Sequence, residues 1–142
     1  MGKILCATRG GEASYRTQDA AIALAQERGD ELLFLYVVDV GFLSKTARAV
    51  RPDVVTAEME KMGEFLLIMA QERAQQQGIA AGYVLRHGDF RDELKAAARE
   101  EVVDLVVLGR PVGTGSAFVP ADLEAFAVEI EAETGVKARI IG

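Results

Sequence analysis

The sequence is poor in cysteine, histidine and long apolar runs, and each shortage narrows what the chain can do. Cys6 is the only cysteine among 142 residues. That excludes an intramolecular disulfide and a cysteine metal site, and it fits a reducing compartment. His87 is the only histidine, and a catalytic imidazole would want a nucleophile and an orienting acid beside it. Cys6 lies inside an apolar strand pattern and His87 ends another, so both are read as structural. No apolar run approaches the roughly 18 residues of a membrane span. The opening MGKILCATRG has too short an apolar stretch for a secretory signal and runs straight into a strand pattern. Clusters of Lys and Arg are missing as well. With 22 acidic against 16 basic side chains the formal charge is -6, which repels nucleic acid and anionic lipid. The expectation is a cytoplasmic chain that binds neither nucleic acid nor membrane.

Half of the residues are apolar, enough to build one core, and residues 1–142 are expected to form a single domain. Five strand-length apolar runs recur, at Ile4 to Thr8, Leu32 to Val38, Gly82 to His87, Leu105 to Leu108 and Val136 to Ile141. The second and fourth are almost continuously apolar, as strands covered on both faces are. Between the runs the period becomes helical. Val55, Met59, Met62, Leu66 and Met69 recur at steps of four and three, and Leu123, Phe126, Ala127 and Ile130 share one face. The methionines are read as core filler. Gly29, Gly78 and Gly135 stand where helices should end, and Asp89 with Asp92 resembles a capping box opening a helix at Phe90. Glu124, Glu129, Glu131 and Glu133 read as a solvated helix face. Val40 to Pro52 has mixed period and is expected to be irregular. The alternation βαβαβαβαβ favours a parallel sheet with helices on both faces.

Ligands of such sheets bind beyond the carboxyl ends of the strands, where strand order reverses. After strand one stand Thr8, Arg9, Gly10 and Gly11; after strand four stand Gly109, Arg110, Pro111, Val112, Gly113, Thr114, Gly115 and Ser116. Glycines admit phosphate oxygens to backbone N–H groups, hydroxyls donate, and Arg9 and Arg110 add positive charge. Asp39 ends strand two, where a dinucleotide fold places its ribose acid, but the strand-one turn lacks G-x-G-x-x-G, which disfavours a nicotinamide reading.

The stretches GKILCATRGGEAS, LLFLYVVDV and LRHGDFRDELKAAAREEVVDLVVLGR resemble the universal stress protein family over roughly residues 2 to 113. The resemblance implies a Rossmann-like α/β fold of the adenine nucleotide alpha hydrolase type, with sheet order 3-2-1-4-5. It also implies frequent homodimers and, in one branch, ATP held by G-x2-G-x9-G-[ST]. Val38 matches the position that lies against adenine. Gly109 matches the first glycine of the motif, but the next, Gly113, follows after three residues, and Leu123 and Glu124 stand where the motif closes. Arg9 replaces the usual Asp of nucleotide-binding members. The acidic first turn around Asp122 and Glu124 would repel a triphosphate.

Together these readings describe a non-catalytic, metal-free stress-response or signalling domain that acts through self-association or a protein partner. Its nucleotide loop is degenerate. The candidate ligand residues are Thr8, Arg9, Val38, Gly109, Gly113, Thr114, Gly115 and Ser116. No cofactor is implied with certainty; ATP or another adenine nucleotide is the ligand to test, and slow ATP turnover is the alternative. A homodimer is expected through the edge strand at Val136 to Ile141.

Overall fold

The computed structural model describes residues 2–9, 12–39, 52–110 and 120–141. Its elements in chain order are β1 (Lys3–Ala7), α1 (Glu12–Arg28), β2 (Glu31–Val38), α2 (Pro52–Gln76), β3 (Ala81–His87), α3 (Phe90–Glu100), β4 (Leu105–Gly109), α4 (Pro120–Thr134) and β5 (Lys137–Ile141). All strand pairs are parallel, and the sheet order is β3-β2-β1-β4-β5. The expected strands and helices are present with ends shifted by a residue or two. Most of the Val40 to Pro52 stretch lies outside the described residues, and Pro52 opens α2.

Strand periodicity sorts the core into two layers. Ile4, Cys6, Leu32, Phe34, Tyr36, Val38, Leu105 and Val107 pack under α1 and α2. Leu5, Leu33, Leu35, Val37, Val106 and Leu108 pack under α3 and α4. β2 is therefore buried at every residue after Glu31, which is why its sequence is an unbroken apolar run. Full burial of side chains such as Phe34 and Phe126 contributes roughly 1.5–3 kcal/mol each.

α2 corrects one reading. Its inward face carries Gly63, Leu67, Ala70 and Ala74, all buried, with Met59 and Leu66 partly so. Met62 is 60% exposed and Met69 38%, so these two are not core filler. Small residues face the sheet because the helix lies close to it: a Cβ at Gly63 would run into the ring of Tyr36.

The helix ends are local chemistry. Asp89 caps α3 by accepting the Asp92 N–H at 3.1 Å, a contact worth about 1 kcal/mol. Gly29, Gly78 and Gly135 take the left-handed conformation after α1, α2 and α4. α3 ends differently, because Val102 occupies the equivalent position with φ 52°.

The acidic face of α4 also differs from expectation. Lys95 of α3 is buried, and its ammonium donates to Glu129 at 3.0 Å and Glu133 at 3.2 Å. Hydrogen bonding to Glu129 is the main influence raising the Lys95 pKa. Glu131 accepts the Ala138 N–H at 3.2 Å, and Glu124 lies 3.6 Å from Arg110. These carboxylates tie α4 to α3, β5 and the end of β4, so they do not form a merely solvated face.

Candidate functional site

β1 and β4 are neighbours whose following helices lie on opposite faces of the sheet, so their carboxyl ends frame the crevice of an open α/β sheet. The register pairs Cys6 with Val107, and two residues further on it brings Thr8 level with Gly109. Arg9 and Arg110 follow as the next residue of each strand. Four sequence candidates thus lie along this rim: Thr8, Arg9, Val38 and Gly109. Gly113, Thr114, Gly115 and Ser116 lie outside the described residues.

The floor of the rim is more polar than the sequence suggests. Thr8, Thr17 and Gln18 are each 2% exposed. The Gln18 amide donates to the Thr8 hydroxyl at 2.8 Å, while its carbonyl oxygen has no hydrogen-bond partner among the described residues. Thr17 of α1 presses on β4: a Cβ at Gly109 would overlap the Thr17 hydroxyl. Glycine is therefore required there by packing, whether or not a phosphate approaches. Val38 is 1% exposed and belongs to the layer under α1 and α2.

Arg9 continues the opposite face. Its guanidinium lies over the Phe90 ring, 4.6 Å from the centroid, a cation–π arrangement. The residue as a whole is exposed, yet packing on the ring desolvates the charged group. This burial lowers its pKa from the ordinary value, with the Asp39 carboxylate opposing the shift. Guanidinium remains cationic at neutral pH all the same. Asp39 accepts the Phe90 N–H at 3.1 Å, so it serves as a second acceptor at the start of α3. Phe90 in turn packs on Phe126 of α4, with ring centroids 6.1 Å apart. Arg9, Phe90 and Phe126 form a stack running from the end of β1 to α4.

Sequence reasoning missed Thr17, Gln18 and the role of Phe90. The signal for the first two is their place at the buried positions 17, 18, 21, 22 and 25 of α1, where polar side chains need a specific reason to sit.

His87 and Cys6 lie away from any catalytic arrangement. His87 Nε2 meets Glu60 Oε1 at 2.7 Å on an exposed flank. Cys6 is fully buried, and desolvation pushes its thiol up to about 12, which leaves it unreactive at neutral pH. Among the described residues no group of three His, Cys, Asp or Glu side chains could hold a metal ion, and no helix is long and apolar enough to cross a membrane. Surface grooves lie elsewhere among the described residues, one along the first half of α2 and another where α2 meets β3.

Known proteins give this geometry a context. The family model described as "Universal stress protein family" matches residues 1–119. Universal stress protein YxiE of Bacillus subtilis (strain 168) is 32% identical over 116 residues, spanning 77% of this chain and 78% of that protein. Among solved structures, a universal stress protein in complex with cAMP superposes with a TM-score of 0.70 at 22% identity, over 99% of this chain and 97% of that one. The universal stress protein from Archaeoglobus fulgidus in complex with dAMP gives a TM-score of 0.64 at 15% identity, over 100% and 98%. Matched along most of its length by the family model and by a relative of this identity, the chain belongs to the universal stress protein family.

Proposed function

We propose that this chain is a non-catalytic signalling domain of the stress-response type, whose ligand is an adenine nucleotide with a single phosphate, bound at the β1–β4 crevice. The observation that carries the reading is the presence of two cations, Arg9 and Arg110, at the ends of adjacent strands on the α3–α4 side of the crevice. Carboxylates surround them: Asp39 acts on Arg9, Glu124 lies 3.6 Å from Arg110, and Asp122 is in the first turn of α4. Such a field tolerates one phosphate and opposes three. The solved relatives with cAMP and dAMP carry ligands of that class. Occupancy would act by differential affinity, favouring one arrangement of the rim. The readout would be association, with β5 as the sheet edge open to pairing with a second copy.

Thermal-shift titration with AMP, cAMP and Mg-ATP tests the reading. A mononucleotide at 100 times its Kd should stabilise the fold by about 2.7 kcal/mol, Mg-ATP should do less at equal concentration, and Arg9→Ala should weaken the effect. Absence of any shift up to millimolar nucleotide, or release of phosphate from ATP, would refute it. Light scattering that showed a monomer with and without nucleotide would remove self-association from the proposal.

A further inference from the structure

α2 is longer than the strands it covers. Its 25 residues span about 37 Å, whereas the 7 residues of β3 span about 23 Å. Glu60 contacts His87, the last residue of β3, so residues 52–59 project past the carboxyl edge of that strand by about 12 Å. The outward side of the helix carries a second apolar stripe at helical spacing. Val54 is 49% exposed, Met62 60%, Phe65 62%, Ile68 39% and Met69 38%. Together they make an exposed apolar surface of the kind that on a monomer often marks an interaction site. Val55 and Met59 help to line a groove along its first half.

Charge around the stripe is mainly negative. Asp53, Glu58, Glu64 and Glu72 are exposed on α2. Lys61 lies 3.8 Å from Glu58, and Arg73 is engaged by Asp19 at 2.6 Å. A second copy meets this face poorly in two antiparallel registers that bring the apolar stripes together. Antiparallel pairing with Phe65 on the twofold axis sets Met62 against Ile68 of the copy, but it also sets Glu58 against Glu72 twice. Sliding the register to oppose Met62 and Phe65 places Glu58 on Met69 and Glu72 on Val55, which desolvates both carboxylates without a partner.

We infer that the outer face of α2 docks an amphipathic helix of another protein, one whose apolar stripe is rimmed by Lys and Arg. Basic side chains on that helix reach Glu58, Glu64 and Glu72, while Phe65 supplies the anchor and the flexible Met62 and Met69 adapt to its shape. This surface lies on α2, not on the β1–β4 crevice, and its occupancy needs no nucleotide.

The probe is a fluorescein-labelled amphipathic peptide of Leu and Lys at helical spacing, with a Leu and Glu peptide of equal length as its counterpart. Anisotropy with the intact protein at physiological salt should give micromolar affinity for the first and binding at least about tenfold weaker for the second. Phe65→Asp removes an exposed side chain, so it should leave the melting temperature unchanged and weaken the basic peptide by about tenfold. The pair Glu58→Lys and Glu72→Lys should move the preference toward the acidic peptide. Equal binding of both peptides, no binding of either, or undiminished binding to the Phe65→Asp variant overturns the inference. So does sedimentation showing a dimer that Phe65→Asp dissolves, which would give this face to a second copy.

Discussion

Replacing Gly109 by alanine separates a glycine kept for a ligand from one kept for packing. The new Cβ would overlap the Thr17 hydroxyl and lie 3.3 Å from the Thr17 Cβ and 3.5 Å from its methyl carbon. Thr17 is 2% exposed, so it cannot swing aside into solvent. Overpacking of this kind costs about 1–3 kcal/mol, partly offset by the roughly 0.5–1 kcal/mol that alanine gains over glycine in a strand. The expected loss for Gly109→Ala is therefore about 1–2 kcal/mol, or a fall in Tm of about 3–7 °C for a chain of this size. Thr17→Ala removes the overlapping oxygen at a cost of about 1 kcal/mol for its lost polar contacts. The double variant should recover most of the clash, giving a favourable coupling of about 1–2 kcal/mol in a cycle measured by urea unfolding. An additive cycle, or a Gly109→Ala protein as stable as the parent, would refute the packing explanation. Should that stable variant also lose nucleotide affinity, the glycine would belong to the ligand.

The buried thiol and the unusual end of α3 give two further tests. Thiol reagents at pH 8 should label Cys6 only at the rate of global unfolding, and rapid labelling of the native protein would contradict its burial. The thiol titrates near 12 in the fold against 9.0 ordinarily, so its neutral form favours folding fully below pH 9 and progressively less as pH rises toward 12. Cys6→Val should flatten that alkaline loss of stability; equal slopes in the two proteins would exclude Cys6 as its source. Val102 is β-branched, 79% exposed and held at φ 52°, a conformation that costs an L residue about 1–2 kcal/mol. Val102→Gly should raise stability by about 0.5–1 kcal/mol after the added chain entropy is subtracted, and a lower urea midpoint would count against strain at this position.

The sheet was legible because its chemistry is local and repeated. LLFLYVV can be covered only on both faces, and the glycines after α1, α2 and α4 mark helix ends that their backbone conformation bears out. The order β3-β2-β1-β4-β5 follows from the family resemblance together with the alternation of strands and helices. On α2 the period alone misled, since two apolar stripes share the 3.6-residue repeat. What distinguishes them is side-chain size: Gly63, Ala70 and Ala74 let the helix approach the sheet, whereas Met62 and Phe65 would hold it away. The acidic residues of α4 were unreadable for another reason. Their partner Lys95 lies 34 residues from Glu129 and 38 from Glu133, and nothing in either helix signals the other. At the crevice, Thr8 and Arg9 were found from their place after β1, but the support from Thr17, Gln18 and Phe90 depends on tertiary contact.

The Lys95 tie also gives α4 one end anchored to its neighbour. It grips Glu129 and Glu133 in the last turns of the helix, while the opposite end begins at Pro120, beyond the exit of β4. Phe126 lies between these two ends, against Phe90, on which Arg9 rests. The end of β1 and the middle of α4 are thereby joined by a continuous train of side chains, so that the cation after one strand shares its packing with the helix that follows the neighbouring strand.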